Sequence, residues 1–368
     1  MPKATETVLE IHLKALRHNY AYITSKLQKK TKVLAVIKAF GYGSDAVALA
    51  KGLTALGADY FAIAYVAEGV ALREGGIKTP ILVLHPLPAH FNVIIQRCLE
   101  PGIYSKNTLI DFITLAEKQH QTHYPIHLKF NTGLNRLGFC EDDIPRVIEI
   151  LSQTKSVTVK SAFSHLAASE DKAENEFTET QLQRFQNISK KLIEGLGYPP
   201  LLHITNTSGI LNFPQAHLDM VRTGIGLYGF GNDPEENKHL QPVAVLKTII
   251  SQIHSIKKGE TVGYNRAFTA VSPTKTATLP IGHADGIQRA YGKGKGWVVI
   301  NGQKAPMVGN VCMDMIMVDV THIACKEGDE VIVFGQNPTA EELAGAVHSI
   351  PYELLTAISQ RVKRIVIP

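Results

Sequence analysis

From residue 8 to residue 204 the chain alternates short apolar runs with longer amphipathic segments, and this rhythm constrains its fold more than any other feature. Val8–Leu13, Lys32–Ile37, Asp59–Ala64, Pro80–Leu84, Ile126–Phe130, Val157–Phe163 and Leu201–Ile204 read as strands. Lys14–Leu27, Asp45–Leu56, Val66–Glu74, Asn107–Lys118, Asp142–Ser152 and Glu176–Leu196 read as the helices between them. Local punctuation agrees: Asp45 or Ser44 can cap one helix, and Gly75-Gly76 stops another. Runs such as Val33–Ile37 have no polar face, which suits strands covered on both sides. Repeated strand–helix units then imply an α/β fold with a parallel sheet. The length suits a closed (β/α)8 barrel of the TIM type, which takes about 250 residues.

The pattern changes at the polar segment Asp233-Pro234-Glu235-Glu236-Asn237-Lys238. Beyond it lie β-branched runs at Ala244–Ile253, Thr276–Leu279, Gly296–Ile300 and Val331–Phe334, with one helix at Ala340–His348. The expectation is a barrel over residues 1–235 and a mostly antiparallel β domain over 236–368. With 45% hydrophobic and 19% charged residues and a net charge of +5, the composition is that of an ordinary globular protein. No basic stripe with interleaved aromatics points to nucleic acid. No apolar run is long enough for a bilayer, and Met1–Glu10 lacks the apolar core of a signal peptide. Cys98, Cys140, Cys312 and Cys325 are scattered without pairing motifs, which fits a reducing cytoplasm. His120, His123 and His127 could share a helix face, but Tyr124-Pro125 interrupts any helix there, so no metal site is expected.

Lys38, Lys129, His165, His203 and Arg222 all fall at the ends of these strands, where a barrel carries its chemistry. Lys38 closes the run Val33–Ile37 and precedes Gly41-Tyr42-Gly43, so its stem is in the core and its amine at the loop. Such an amine can have a lowered pKa and act as a nucleophile, or it can snorkel to the barrel rim. Gly224-Ile225-Gly226-Leu227-Tyr228-Gly229 fits G-x-G-x-x-G, but Phe230–Pro234 is loop chemistry rather than a helix. A dinucleotide is therefore rejected, and a loop presenting N–H groups to one phosphate is preferred. Arg222, just before that loop, is a cation that can donate a hydrogen bond but hardly a proton. His203-Ile204-Thr205-Asn206-Thr207-Ser208 offers hydroxyls for phosphate and, equally, caps for a helix. Tyr264 sits in the turn Gly263–Arg266; its phenol needs help to act as a base, and on composition alone a structural role is the stronger reading.

Taken together, these motifs resemble those of alanine racemase, a pyridoxal-phosphate family with a barrel and a C-terminal β domain. The resemblance runs in order through Ala35–Gly43, Asn131–Gly138, Phe163–Leu166, Arg222–Ile225, Gly263-Tyr264, Ile281–Gly286, Val311–Asp314 and Tyr352–Leu355. It implies that Lys38 holds pyridoxal 5'-phosphate covalently and serves as base on one face of the substrate. It implies that Tyr264, brought by the second subunit of a homodimer, is the base on the other face. Tyr42, Asn206, Thr207, Gly224, Ile225 and Tyr352 are implied around the cofactor and its phosphate, Arg222 at the pyridine nitrogen, and His165 between Arg222 and Tyr264. Arg136 and the backbone of Met313 are implied at the substrate carboxylate, and Lys129 matches a lysine carbamylated in some members. The implied activity interconverts L- and D-alanine in the cytoplasm and supplies D-alanine for peptidoglycan.

Several positions depart from the family pattern. Phe40 replaces a small or amide residue, Thr207 a serine, Thr223 a proline, Asn131 an aspartate beside Lys129, and His283 a tyrosine of the substrate entryway. Alternatives on related folds are a broader amino-acid racemase, a non-catalytic pyridoxal-phosphate carrier and a decarboxylase. The β domain and Tyr264 argue against the carrier, and the setting Val-Cys312-Met-Asp against the decarboxylase. Some members are fused to a cell-wall ligase, and the short stretch before Val8 is compatible with an excised domain.

Overall fold

A computed structural model describes residues 4–231 and 233–368. Strands β1 (Val8–His12), β2 (Lys32–Val36), β3 (Tyr60–Ile63), β4 (Ile81–Val83), β5 (Glu100–Ile103), β6 (Tyr124–Lys129), β7 (Val157–Phe163), β8 (Leu201–His203) and β9 (Met220–Thr223) precede the break at 233–238. Eight of them form one parallel sheet in the order β8-β7-β6-β5-β4-β3-β2-β9. The seam between β8 and β9 is bridged by Asp219 N–H to Leu202 O (3.2 Å) and Arg222 N–H to Thr205 O (3.3 Å), so the barrel is nearly closed. Helices follow strands as expected, and Asp45 caps Ala46–Ala55 by accepting from Ala48 N–H at 2.9 Å. The barrel interior is apolar on one side, where Leu34, Tyr60, Ala62, Leu82, Phe163 and Met220 pack together.

After the break come β10 (Ala244–Ile249), β11 (Gln252–Ile256), β12 (Thr261–Val262), β13 (Phe268–Thr269), β14 (Thr274–Leu279), β15 (Trp297–Ile300), β16 (Gln303–Val308), β17 (Ile316–Asp319), β18 (Glu330–Phe334) and β19 (Lys363–Ile367). Most join a nine-stranded sheet ordered β11-β14-β17-β16-β15-β18-β10-β1-β19. Its pairs are antiparallel except β1 with β19. Thus β1, grouped with the barrel in the sequence reading, belongs to the larger sheet: Val8 pairs with Lys247 on one side and Lys363 on the other. A local apolar pattern announces a strand but not which distant edge completes its hydrogen bonds.

Two further expectations change. The second domain has two helices rather than one, Ala340–Ala346 and Pro351–Ala357, the latter opened by a proline at its first turn. Strand β5 went unforeseen because Pro101 and Gly102, ordinarily turn residues, lie inside it. Tyr124 and Pro125 lie in strand β6, which places His127 inside the barrel.

Candidate active site

The backbone at the end of β2 takes an uncommon path. Ala39, Phe40, Gly41, Tyr42 and Gly43 have φ of 53, 56, 66, 52 and 78°, a continuous left-handed turn directly after Lys38. Each non-glycine residue there costs about 1–2 kcal/mol, so the surroundings must impose the conformation. They do so from three directions. Gly41 N–H donates to Ile37 O at 3.0 Å and Gly43 N–H to Ala39 O at 2.7 Å. The Glu68 carboxylate accepts from the backbone of Ala39, Ala64 (2.7 Å) and Tyr65 (3.0 Å). From the second domain, Leu355 O lies 2.0 Å from where a Cβ on Gly43 would stand, and Arg364 donates to Gly43 O at 2.9 Å. Glu68 carried no motif signal, so its part emerges only from the fold.

Lys38 opens into a cavity of about 180 Å³ at the C-terminal mouth of the barrel. Ten further residues expected at the site share its wall: Tyr42, Lys129, Arg136, His165, Asn206, Thr207, Arg222, Gly224, Ile225 and Tyr352. Val36, Leu84 and Phe163 add an apolar side that the sequence did not single out. Among the described lining residues, four are basic and none is a carboxylate. The cations shape each other. Burial, and then Arg136, lower the Lys38 pKa. Burial, together with Arg136, Arg222 and Lys38, brings Lys129 down to about 8.

Arg222 is the most enclosed of these groups, at 4% exposure. Burial pushes its pKa down to about 9, so it remains a cation at neutral pH. Its guanidinium donates to Ser164 O (2.6 Å), Ile204 O (3.0 Å), His203 Nδ1 (2.7 Å) and His165 Nδ1 (3.0 Å). Because Arg can only donate, both imidazoles must present a lone pair to it. Burial and the Arg222 charge also hold His165 and His203 well below the ordinary imidazole pKa.

The opposite wall is built from hydroxyls and backbone. Thr207 Oγ1 accepts from Gly224 N–H (3.2 Å) and Gly226 N–H (3.3 Å). A Cβ on Gly224 would lie 2.3 Å from the Tyr42 hydroxyl, so glycine lets that phenol reach the loop. Tyr42 stacks on Tyr228 at 4.3 Å, and burial drives its pKa up, keeping the hydroxyl protonated. Asn206 caps the helix Thr207–Asn212 by accepting from Gly209 N–H at 2.8 Å. The loop Ile225–Tyr228 is a 3-10 turn rather than the helix a dinucleotide site requires. Asn131 accepts from Gly133 (3.1 Å) and Asn135 (3.0 Å) backbone N–H groups, organising the loop that carries Arg136.

Tyr264 and Met313 lie elsewhere. Tyr264 tops the β12–β13 hairpin, 71% exposed, and its carbonyl accepts from Asn310 at 3.0 Å. Met313 is 59% exposed, and its carbonyl accepts from Ala284 N–H at 3.0 Å. Both line a separate, open cavity of about 490 Å³ on the second domain. Within one chain, therefore, the Lys38 wall and the Tyr264 wall are not assembled into one site.

Residues 11–232 match the model of the alanine racemase N-terminal domain, and residues 243–366 that of its C-terminal domain. The chain belongs to the alanine racemase family. A relative from Caldanaerobacter subterraneus subsp. tengcongensis, alanine racemase 2, is 35% identical over 370 residues, spanning 98% of this chain and 95% of its own. The alanine racemase of Clostridium difficile 630 superposes with a TM-score of 0.93 at 33% identity, covering 100% of this chain and 97% of that one. An alanine racemase from Bartonella henselae, solved with covalently bound pyridoxal phosphate, is 29% identical with a TM-score of 0.89, covering 99% and 100%. Interconversion of L- and D-alanine, an isomerase activity, is the function that follows from this membership. The family's barrel and mostly antiparallel second domain are the architecture found here. No helix among the described residues is long and apolar enough to cross a membrane.

Proposed function

We propose that this alanine racemase holds pyridoxal 5'-phosphate on Lys38 and works as a homodimer, with Lys38 of one subunit facing Tyr264 of the other. The observation that carries the reading is the charge of the Lys38 cavity: four basic residues, no carboxylate among its described lining, and a lysine of lowered pKa. Such a cavity suits a ligand carrying a phosphate and a carboxylate, and an amine that is readily neutral. The hydroxyls of Tyr42 and Thr207 and the backbone of Gly224 and Ile225 form a compact donor group for one phosphate. Tyr352 enters from the second domain of the same chain and lies 5.8 Å from Tyr42, ring to ring.

When bound, pyridoxal phosphate delocalises the negative charge that removal of the alanine Cα proton leaves. This chain's residues then supply position and protons. Lys38 Nζ takes or returns the Cα proton on one face, and the Tyr264 hydroxyl does so on the other. Two groups are needed because one cannot reach both faces of a planar centre. Arg222, a cation at neutral pH, would offer the pyridine nitrogen a hydrogen bond rather than a proton. His165, neutral and tied to Arg222, tunes the approaching phenol. Arg136 and the backbone N–H of Met313 take the substrate carboxylate. Lys129, with its pKa near 8, is the candidate for carbamylation beside Arg136. The product D-alanine would serve peptidoglycan synthesis in the cytoplasm.

Optical rotation followed against a panel of L-amino acids tests the reading. L-Alanine should lose its rotation completely, with little change for larger side chains. Equal loss across the panel identifies a broad racemase, and no loss for any of them overturns the catalytic reading.

A further inference from the structure

Arg222 is buried with no carboxylate among the described residues against it, yet a complete hydrogen-bond chain leaves it in one direction. His203 Nδ1 accepts from Arg222 at 2.7 Å, so the neutral ring carries its hydrogen on Nε2. That nitrogen lies 2.9 Å from Ser161 Oγ. Ser161 Oγ lies 2.6 Å from His127 Nδ1, and His127 Nε2 lies 2.6 Å from the Glu100 carboxylate. With His127 neutral and Glu100 ionised, the remaining directions follow. His203 donates to Ser161, the Ser161 hydroxyl donates to His127 Nδ1, and His127 donates to Glu100. The five residues come one each from β9, β8, β7, β6 and β5, so the chain descends from the mouth of the barrel to its floor. His203, Ser161 and His127 are fully enclosed, at 0% exposure. At the far end burial and the Glu100 carboxylate raise the Tyr60 pKa, which keeps that phenol protonated beside Glu100.

We propose that Glu100 is a positioning residue for Arg222, acting as its distant counter-charge through the oriented relay His127, Ser161 and His203. The relay fixes the tautomer of His203 and, with it, the rotation of the guanidinium in the cavity wall. In a low-dielectric interior, aligned dipoles ending on a carboxylate stabilise a cation that has no direct ion pair. This inference rests on the proposed role of Arg222 at the cofactor, but the relay exists in the protein with or without it.

The decisive measurement is therefore independent of turnover. Nitrogen-15 NMR of histidine-labelled protein should show Nδ1 as the unprotonated nitrogen in both His203 and His127. An Nδ1–H tautomer at His203, or a doubly protonated His127, overturns the relay. Glu100→Gln should shift the His203 nitrogen signals although it lies three links away, and Ser161→Ala should shift them with Glu100 intact. Unchanged His203 signals in both folded variants overturn the proposal, and if Glu100→Gln does not fold, Ser161→Ala alone decides it. In the loaded enzyme, kcat should fall on the order of tenfold with KM little changed, as when an outer partner orients a site group. Glu100→Asp should recover part of that loss, and no recovery above Glu100→Gln assigns Glu100 a purely structural role. Failure of the unmodified protein to racemise alanine would strike the functional reading and leave the tautomer result standing.

Discussion

The two walls of the proposed site differ in almost every physical respect. The Lys38 wall is enclosed, crowded with cations whose pKa values are displaced, and built on a left-handed turn held by both domains. The Tyr264 wall is open, on a short hairpin, with its phenol and Met313 exposed. A group that only has to stay ready can be finished within one chain. A group that must meet the first from the opposite face is left outward, where a second copy can reach it. The contrast supports the proposed arrangement, in which each chain contributes two complementary half-sites and a second copy completes them.

The strongest attack on this contrast is to remove each half in turn. Lys38→Ala should abolish the visible absorbance of the covalently held cofactor and lower racemisation by on the order of a thousandfold or more. A surviving absorbance band would move the cofactor to another residue. Tyr264→Phe should leave that band intact and slow proton removal from L-alanine by roughly a hundredfold or more, read as the initial rate in that direction. Mixing these two variants and allowing chains to re-pair sharpens the comparison further. Half of the random pairs then carry one intact site of two, so about a quarter of the unmodified activity should return. No return would place Lys38 and Tyr264 of the same chain together.

Smaller effects probe the enclosed wall alone. Gly43→Ala puts a methyl against Leu355 O in a left-handed conformation, and should lower unfolding stability by on the order of 3 kcal/mol in denaturant titration. The smallest effect concerns Lys129. Its pKa near 8, against an ordinary 10.5, means the unfolded chain binds more protons between those values. Stability therefore rises through this group from pH 8 to pH 10.5, and its unfavourable contribution is fully present below pH 8. Lys129→Met should raise the melting temperature of cofactor-free protein at pH 7, with a gain that shrinks toward pH 10.5.

Much of this was legible residue by residue. Helix Val66–Glu74 and strand Val157–Phe163 have the ends their sequence patterns indicate, because apolar period and glycine punctuation act locally. Lys38, His165, Asn206, Thr207, Arg222 and Gly224 were visible as polar or glycine residues near strand ends, and a barrel brings all such ends to one rim. Glu68 and Glu100 were not visible. Each is an ordinary carboxylate in its own segment, and the contact that gives it a part at the site is distant in sequence: Ala39 N–H for Glu68, His127 on the next strand for Glu100. Likewise β1 looked like any first strand of a barrel until β10 and β19 took its two edges.

The sequence by itself determined the kinds of element, their order and the chemical types gathered at the barrel mouth. These depend on interactions within a few residues or on a topology with a single rim. The tertiary structure alone decided that β1 joins the larger sheet, that Glu68 helps hold the left-handed turn, and that a hydrogen-bond chain links Arg222 with Glu100 across five strands. Hydrogen bonds and burial between residues far apart in the chain depend on how strands pair and curve, and no local pattern encodes that distance.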